Sequence, residues 1–370
     1  MASIVTMQPL MARSFKSSGI AVISLEIIRI CRCLTYPVHF HRERPYKQIL
    51  SGRKNRMLRY LELIQNPHRF LALTGYTVNE FRALLSFFRV RFQAYVARFT
   101  LEGKPRQKRA YSTYKNSTFP TMDDTLLFIL TYMKTYPIQQ AQAQLFGIQQ
   151  SQANQWIHLL LPLVRQALAD CGELPARKNE EMHLDEDKSS LFVHDGTERP
   201  INRPQDPEEQ YLYYSGKQKK HTIKNDILID EPCKIRFLSD TVEGKKNDKR
   251  LADESGYSVP KDSVLAQDAG FQGFHLQGVS ILQPQKKSRG GELCDADKVR
   301  NRLIAGIRVR IEHAIGSVKR YRIVKDKSRN WKPGFRDLVF EICCGLHNFR
   351  LNFRPWYYKP ITYLNCLLKS

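Results

Sequence analysis

The sequence predicts a mixed α/β core preceded by an all-α region that carries a helix-turn-helix. Three observations predict it. Apolar residues recur at helical spacing between about residues 57 and 170, short apolar runs of strand character take over after Arg177, and long helical patterns return near residue 297. Strands grouped first and helices after them are the signature of a mixed core rather than a regular alternation.

The elements follow in order. Residues 1–56 show no sustained period and end in the basic run His39 to Arg56. They read either as a disordered basic arm or as an extension upstream of a true start at Met57. From Met57 to about Phe92 the pattern is helical, with Leu58, Leu61 and Ile64 on one side. A second helix over about 79–91 has Thr77 as its N-cap, and Glu80 three residues on completes a capping box. The basic stretch Gly103 to Lys115 is a linker. Asp123 to Thr135 and Ile138 to Leu145 are helices, Phe146-Gly147-Ile148 supplies a turn glycine, and a further helix runs from Gln149 or Ser151 to about Leu161. That spacing is a helix-turn-helix. The exposed face of its second helix offers Gln149, Gln152, Asn154 and Gln155, whose amides suit hydrogen bonds to base edges. A plain helical hairpin with polar outward residues fits the same pattern. Strands are expected at 191–194, 221–229, 234–238 and 263–266, then helices at about 297–321 and 335–349. These divide the chain into a helical region at 57–175, a core at 176–350 and a tail at 351–370.

Composition narrows the partners. The 370 residues include 59 Lys and Arg against 36 Asp and Glu, a formal net charge of +23, and 42% are hydrophobic. A chain of that length holds two or three domains and buries a real core, so wholesale disorder is excluded. So large a positive excess is unusual for a metabolic enzyme and points to a polyanion, although DNA, RNA and an acidic membrane surface satisfy charge equally. The eight cysteines share no repeated spacing and read as reduced thiols rather than a zinc site. The most apolar early stretch, Gly19 to Cys31, is broken by Glu26 and Arg29, so no transmembrane helix is expected.

Two acids follow apolar strands: Asp195 after Leu191 to Val193, and Asp268 after Val264 to Ala266. A carboxylate just past a buried strand projects at the sheet edge, where the active sites of open sheets collect. Asp before Gly is also an ordinary turn. The third candidate is Glu312. Eleven Lys or Arg lie between 298 and 329, against only Glu312 and Asp326. Ile304, Ile307, Ile311, Ile315 and Val318 form the buried stripe of that helix, and Arg308, Glu312 and Lys319 share one face beside it. A lone carboxylate in so basic a helix suits a metal ligand ringed by phosphate-binding cations, although an i, i+4 Arg/Glu pair is common on any helix. Three carboxylates would make an all-oxygen site for a hard divalent ion, Mg²⁺ or Mn²⁺. Asp240 competes, since it also follows a strand, whereas Asp248, Asp253 and Glu254 read as a solvated helix and Asp206, Glu208 and Glu209 as loop charges. His221 and His313 read as structural or DNA-facing.

At these residues the chain resembles a known family. HDGTERPINRP (194–204), YYSGKQKKHTIKND (213–226), DAGFQG (268–273) and RVRIEHAIGSVKRYRIV (308–324) together resemble the bacterial insertion-sequence transposases of the insertion-sequence-five type, members of the DDE superfamily of endonucleases. The resemblance covers about residues 57–350. It implies a ribonuclease-H-like core behind a helical DNA-binding region. Residue by residue, the family's catalytic and metal-binding acids fall on Asp195, Asp268 and Glu312, and its helix signature is matched by Arg308, Glu312 and Lys319. Its signature tyrosine is replaced here by Ala305. The resemblance also implies two Mg²⁺ (or Mn²⁺) ions about 3.5–4 Å apart, hydrolysis of a phosphodiester at an element end, and attack of the freed 3′-hydroxyl on target DNA. The implied partners are double-stranded DNA, as terminal inverted repeats and target, and a second copy of the chain or more on that DNA. No membrane is implied, and the implied setting is the bacterial cytoplasm near the nucleoid. Arg308 and Lys319 would hold phosphates. Lys217, Lys219 and Lys220, in a Ser-Gly turn between strands, would touch the DNA backbone. Two other readings stand beside this one: a DNA-binding regulator that has lost catalysis, and a nuclease of the same fold that never joins strands.

Overall fold

The computed structural model describes residues 57–107, 110–114, 117–182, 184, 190–287, 290–359 and 361–369. The extension at 1–56, with its two readings, lies outside them. Three helices open the described chain: α1 (Tyr60–Leu63), α2 (Pro67–Thr74) and α3 (Val78–Arg98). The expected capping box starts α3. The Thr77 backbone N–H donates to the Glu80 carboxylate at 2.7 Å, and Thr77 Oγ1 accepts from the Glu80 N–H at 3.3 Å. The helix then runs a further two turns beyond Arg91, because Phe92 and Val96 continue its buried stripe.

The helix-turn-helix is α4 (Met122–Thr135), α5 (Gln139–Phe146) and α6 (Gln150–Asp170). Gly147 makes the turn with φ 70°, and a Cβ there would lie 1.9 Å from Met57 Sδ, so only glycine admits the incoming chain. The last helix does not stop near Leu161. It continues through Pro162, whose missing N–H removes one helical hydrogen bond. Leu160, Leu161, Leu163, Val164, Ala167 and Leu168 are all buried on either side of it, and that apolar burial outweighs the lost bond.

The sheet is built from β1 (Leu191–Pro200), β2 (Tyr214–Ser215), β3 (Lys220–Ile229), β4 (Ile235–Leu238), β5 (Val242–Glu243), β6 (Val264–Ala266) and β7 (Ser280–Leu282). Its order is β2-β3-β1-β6-β7, with β4 and β5 also pairing β3. β1 runs antiparallel to β3 and parallel to β6, and β6 runs parallel to β7. This mixed sheet agrees with the ribonuclease-H-like core that the resemblance implies. Between the strands lie α7 (Pro207–Tyr213) and α8 (Asp248–Ser255). After them come α9 (Asp295–Val318), α10 (Arg322–Lys325), α11 (Phe335–Leu351) and α12 (Leu364–Lys369).

Alternation along β1 and β6 divides the sheet into two faces. Leu191, Val193, Ile227, Ile229, Val264 and Ala266 point into a large core shared with Ile304, Ile307 and Ile311 of α9. Phe192, Leu228 and Leu265 point the other way, into a smaller cluster with Tyr257, Phe271 and Phe274. The large core does not stop at the sheet. It continues into Phe81, Phe128, Ile157 and Leu160 of the helical region. Polar ties cross the same seam: Arg165 with Glu341 at 2.7 Å, Arg354 with Glu80 at 2.6 Å, and the Tyr76 hydroxyl donating to the Leu346 carbonyl at 2.7 Å. The helical region and the sheet therefore pack as one compact unit over 56–370. Among the described residues, no helix is long and apolar enough to cross a membrane.

Candidate active site

β1 does not end before Asp195. Its ladder with β3 runs from Val193↔Ile229 to Pro200↔Thr222, so Asp195 and Gly196 lie inside a strand rather than in a turn. The parallel ladder with β6 stops at Val193↔Ala266. Asp195 and Asp268 each sit two residues beyond that last pair, where the neighbouring parallel strands lose their backbone pairing. By alternation Asp195 shares the face of Val193, the face that α9 covers. Asp268 begins the 3₁₀ turn Ala269–Phe271, and its Oδ1 accepts from the Ala269 N–H at 2.7 Å.

α9 brings Arg308 to this pair. Its guanidinium lies 3.9 Å from Asp195 Oδ2 and 3.3 Å from Asp268 Oδ1, so one cation serves two carboxylates. Burial, offset by Arg308 and aided by Asp268 and Asp248, raises the Asp195 carboxyl to about 6. Glu312, one turn further along α9, is exposed and lines a cleft of about 440 Å³ together with Asp195, Lys217, Lys220, Lys319 and Lys325. No ion pair engages it among the described residues. Lys319 Nζ donates to the Glu198 carbonyl at 2.9 Å. Burial, then Arg199, lowers its ammonium to about 8. Lys219 does not line the cleft; it adopts φ 51° at the turn.

The structure thus joins Asp195 to Asp268 through Arg308, and Asp195 to Glu312 through the cleft. Among the described residues, no three His, Cys, Asp or Glu side chains are gathered closely enough to form a ready-made metal cage. The donor set still fits a divalent cation in kind: all ligands are oxygens, and the half-buried Asp195 and Asp268 share a single positive charge.

Of the amides on the helix-turn-helix, Gln149, Gln152 and Gln155 are exposed and Asn154 is half-buried. Gln152 Oε1 accepts from the Gln149 N–H at 3.1 Å, which caps α6. Asn154 donates to Gln139 Oε1 at 3.2 Å, and Gln150 donates to the same oxygen at 2.7 Å. Gln155 has no such partner among the described residues.

Several residues beside the acids were not singled out by sequence. Asp248, expected on a solvated helix, is instead braced beneath the site. A Cβ on Gly196 would lie 2.9 Å from its Oδ1, and one on Gly270 would lie 3.0 Å from its Oδ2. Lys224 holds Asp248 at 2.8 Å. The glycine after Asp195 and the one two residues after Asp268 therefore serve close approach, a signal visible only once Asp248 is in place. Asp226, opposite Gly196 in the ladder, is buried with neither carboxyl oxygen hydrogen-bonded among the described residues. Burial, then Asp195 and Asp248, pushes its carboxyl well above the usual range. His194 and Gln267, the residues immediately before each acid, are hydrogen-bonded to each other on the opposite face.

The family described as DDE superfamily endonuclease matches residues 194–348, and the helix-turn-helix of DDE superfamily endonuclease matches residues 121–170. The chain is 25% identical over 230 residues to the probable transposase for insertion sequence element IS702 of Microchaete diplosiphon, covering 62% of this chain and 81% of that one. It is 23% identical over 208 residues to an inferred transposase for insertion sequence element IS112 of Streptomyces albus G, covering 55% and 72%. No solved structure gives a significant match. The chain belongs to the DDE superfamily of endonucleases and carries that superfamily's helix-turn-helix ahead of the endonuclease region.

Proposed function

We propose that this protein is a DNA transposase that cuts phosphodiesters at the ends of an element and joins them to target DNA, with Asp195, Asp268 and Glu312 as its metal-holding acids. The observation that carries this reading is the pair Asp195 and Asp268, each two residues past the last β1/β6 pair and sharing one guanidinium, with Glu312 on the wall of the cleft that Asp195 lines. The relatives named as transposases support it, and the signature Arg308, Glu312 and Lys319 supports its assignment to the insertion-sequence-five type.

Magnesium or manganese, held by these three acids, would supply charge neutralisation and activation of the attacking oxygen. The chain's own residues do the rest. Asp195 and Asp268 are fixed by the strands, and Glu312 turns inward from the exposed surface of α9. Arg308 gives up the carboxylates and turns to a DNA phosphate. Lys217, Lys220, Lys319 and Lys325 line the route of the backbone, adding affinity that weakens with salt. Lys219, at the tip of the same turn, meets the backbone outside the cleft. Exposed Gln155, Gln152 and Gln149 read the major groove, joined by Asn154 once it leaves Gln139. Joining two ends requires two such sites, so the active form on DNA is at least a dimer.

The test is the full-length protein with Mg²⁺ and labelled terminal-repeat DNA. Cleavage followed by strand joining is expected. Cleavage alone would make the protein a nuclease, and specific binding alone a regulator; either result would overturn the proposal.

A further inference from the structure

We propose that His194 and Gln267 form a side-chain clasp that sets the spacing of Asp195 and Asp268, acting as positioning residues one step behind the acids. The inference rests on the reading of those acids as metal ligands.

The argument begins where the backbone stops. The β1/β6 ladder ends at Val193↔Ala266, and the next residues on the two strands are His194 and Gln267. The registered pairing of β1 with β6 goes no further, and the two acids follow at once. The side chains continue the pairing. His194 Nε2 donates to Gln267 Oε1 at 3.0 Å, with both residues fully buried. A directional bond of fixed length therefore replaces the ladder at the position before the acids.

The remaining polar atoms are spoken for. The Tyr257 hydroxyl donates to His194 Nδ1, which leaves the proton of the neutral ring on Nε2, facing Gln267. Gln267 Nε2 donates to the Phe271 carbonyl at 3.4 Å, across the 3₁₀ turn that starts at Asp268. Gln267 thus holds both sides of Asp268. The imidazole is walled by Phe271 and Phe274, with ring centroids 4.0 and 5.2 Å away. Rotation of the ring would break two hydrogen bonds with no water to replace them.

An apolar pair could fill this pocket at lower desolvation cost. What an apolar pair lacks is a preferred separation and direction. Groups that orient metal ligands from behind alter metal affinity about 10–100-fold when removed, and sites that must hold ligands within about 0.5 Å depend on such support.

The test uses full-length variants His194→Leu, Gln267→Met, the double variant and His194→Gln. Three readouts are taken: hydrogen exchange of peptides covering 194–196 and 267–271, Mn²⁺ affinity by electron paramagnetic resonance, and DNA affinity. Each single variant is expected to speed local exchange and weaken Mn²⁺ binding about tenfold or more, with DNA affinity unchanged. The double variant should be no worse than the worse single, because one interaction is lost in all three. His194→Gln can still donate to Gln267 Oε1 and should restore both properties. Gln267→Met preserves volume and decides the matter if His194→Leu does not fold. Exchange and Mn²⁺ affinity within twofold of the wild type would overturn the clasp. So would additive losses that track the melting temperature and are not rescued by His194→Gln. If Asp195→Asn binds Mn²⁺ as the wild type does, the metal assignment fails, and the exchange measurements alone then judge the clasp.

Discussion

The strand ends and the helix above them hold their acids in different ways. Asp195 and Asp268 are fixed: the first lies within β1 and the second just past β6, they share Arg308, and a buried His194–Gln267 bond stands behind them. Glu312 stands on the exposed side of α9, without an ion pair among the described residues. The burial energy explains the contrast. A sheet interior can hold carboxylates rigidly only by surrounding them with compensating groups, whereas a helix surface leaves a carboxylate solvated and free to turn. As the proposed metal ligands, Asp195, Asp268 and Glu312 would be two fixed acids and one adjustable one.

The largest effect expected is on chemistry. Asp195→Asn should lower cleavage by at least about 10³-fold while DNA affinity holds, which cleavage and gel-shift assays on the same preparation would read. Glu312→Gln should lower cleavage comparably but weaken Mn²⁺ binding less than Asp195→Asn does. Equal losses of Mn²⁺ affinity in the two variants would break the contrast between fixed and adjustable acids.

Next comes the support beneath them. Ile307 is fully buried between α9 and the sheet. Ile307→Ala should cost about 2–5 kcal/mol in denaturant unfolding. Because the helical region shares this core, its unfolding should coincide with that of the sheet, and separate transitions would sharpen the comparison into one of independent domains.

Smaller effects belong to the cleft. Lys319 carries its proton below about pH 8 and loses it above. A phosphate contact needs the charged form, so DNA affinity should fall as pH rises from 7 to 9, by ~tenfold per unit at most for one titrating group. Lys319→Arg should flatten the profile; an unchanged slope would remove Lys319 from the DNA path. Smallest is Lys217→Ala, expected to weaken binding across all sequences and reduce the salt slope by about 1.

Much of this was legible in order along the chain. Thr77 and Glu80 announce α3, Gly147 marks the turn of the helix-turn-helix, and Ile304, Ile307 and Ile311 fix the buried face of α9. Each is a local signal, set by caps, turns or a period of 3.6 residues. Less legible was the course of α6 beyond Pro162, where a local breaking signal is overridden by packing.

The sequence by itself therefore determined the mixed α/β architecture, the order of the elements and the candidates Asp195, Asp268 and Glu312, because periodicity and short motifs are carried by neighbours along the chain. Only the tertiary structure decided that Arg308 faces the carboxylates, that Asp248 packs against both Gly196 and Gly270, and that His194 meets Gln267. Those partners are far apart in sequence and are joined by the register of β1 against β6 and by the packing of α8 and α9. Register is a property of two strands together, and no single stretch of residues encodes it.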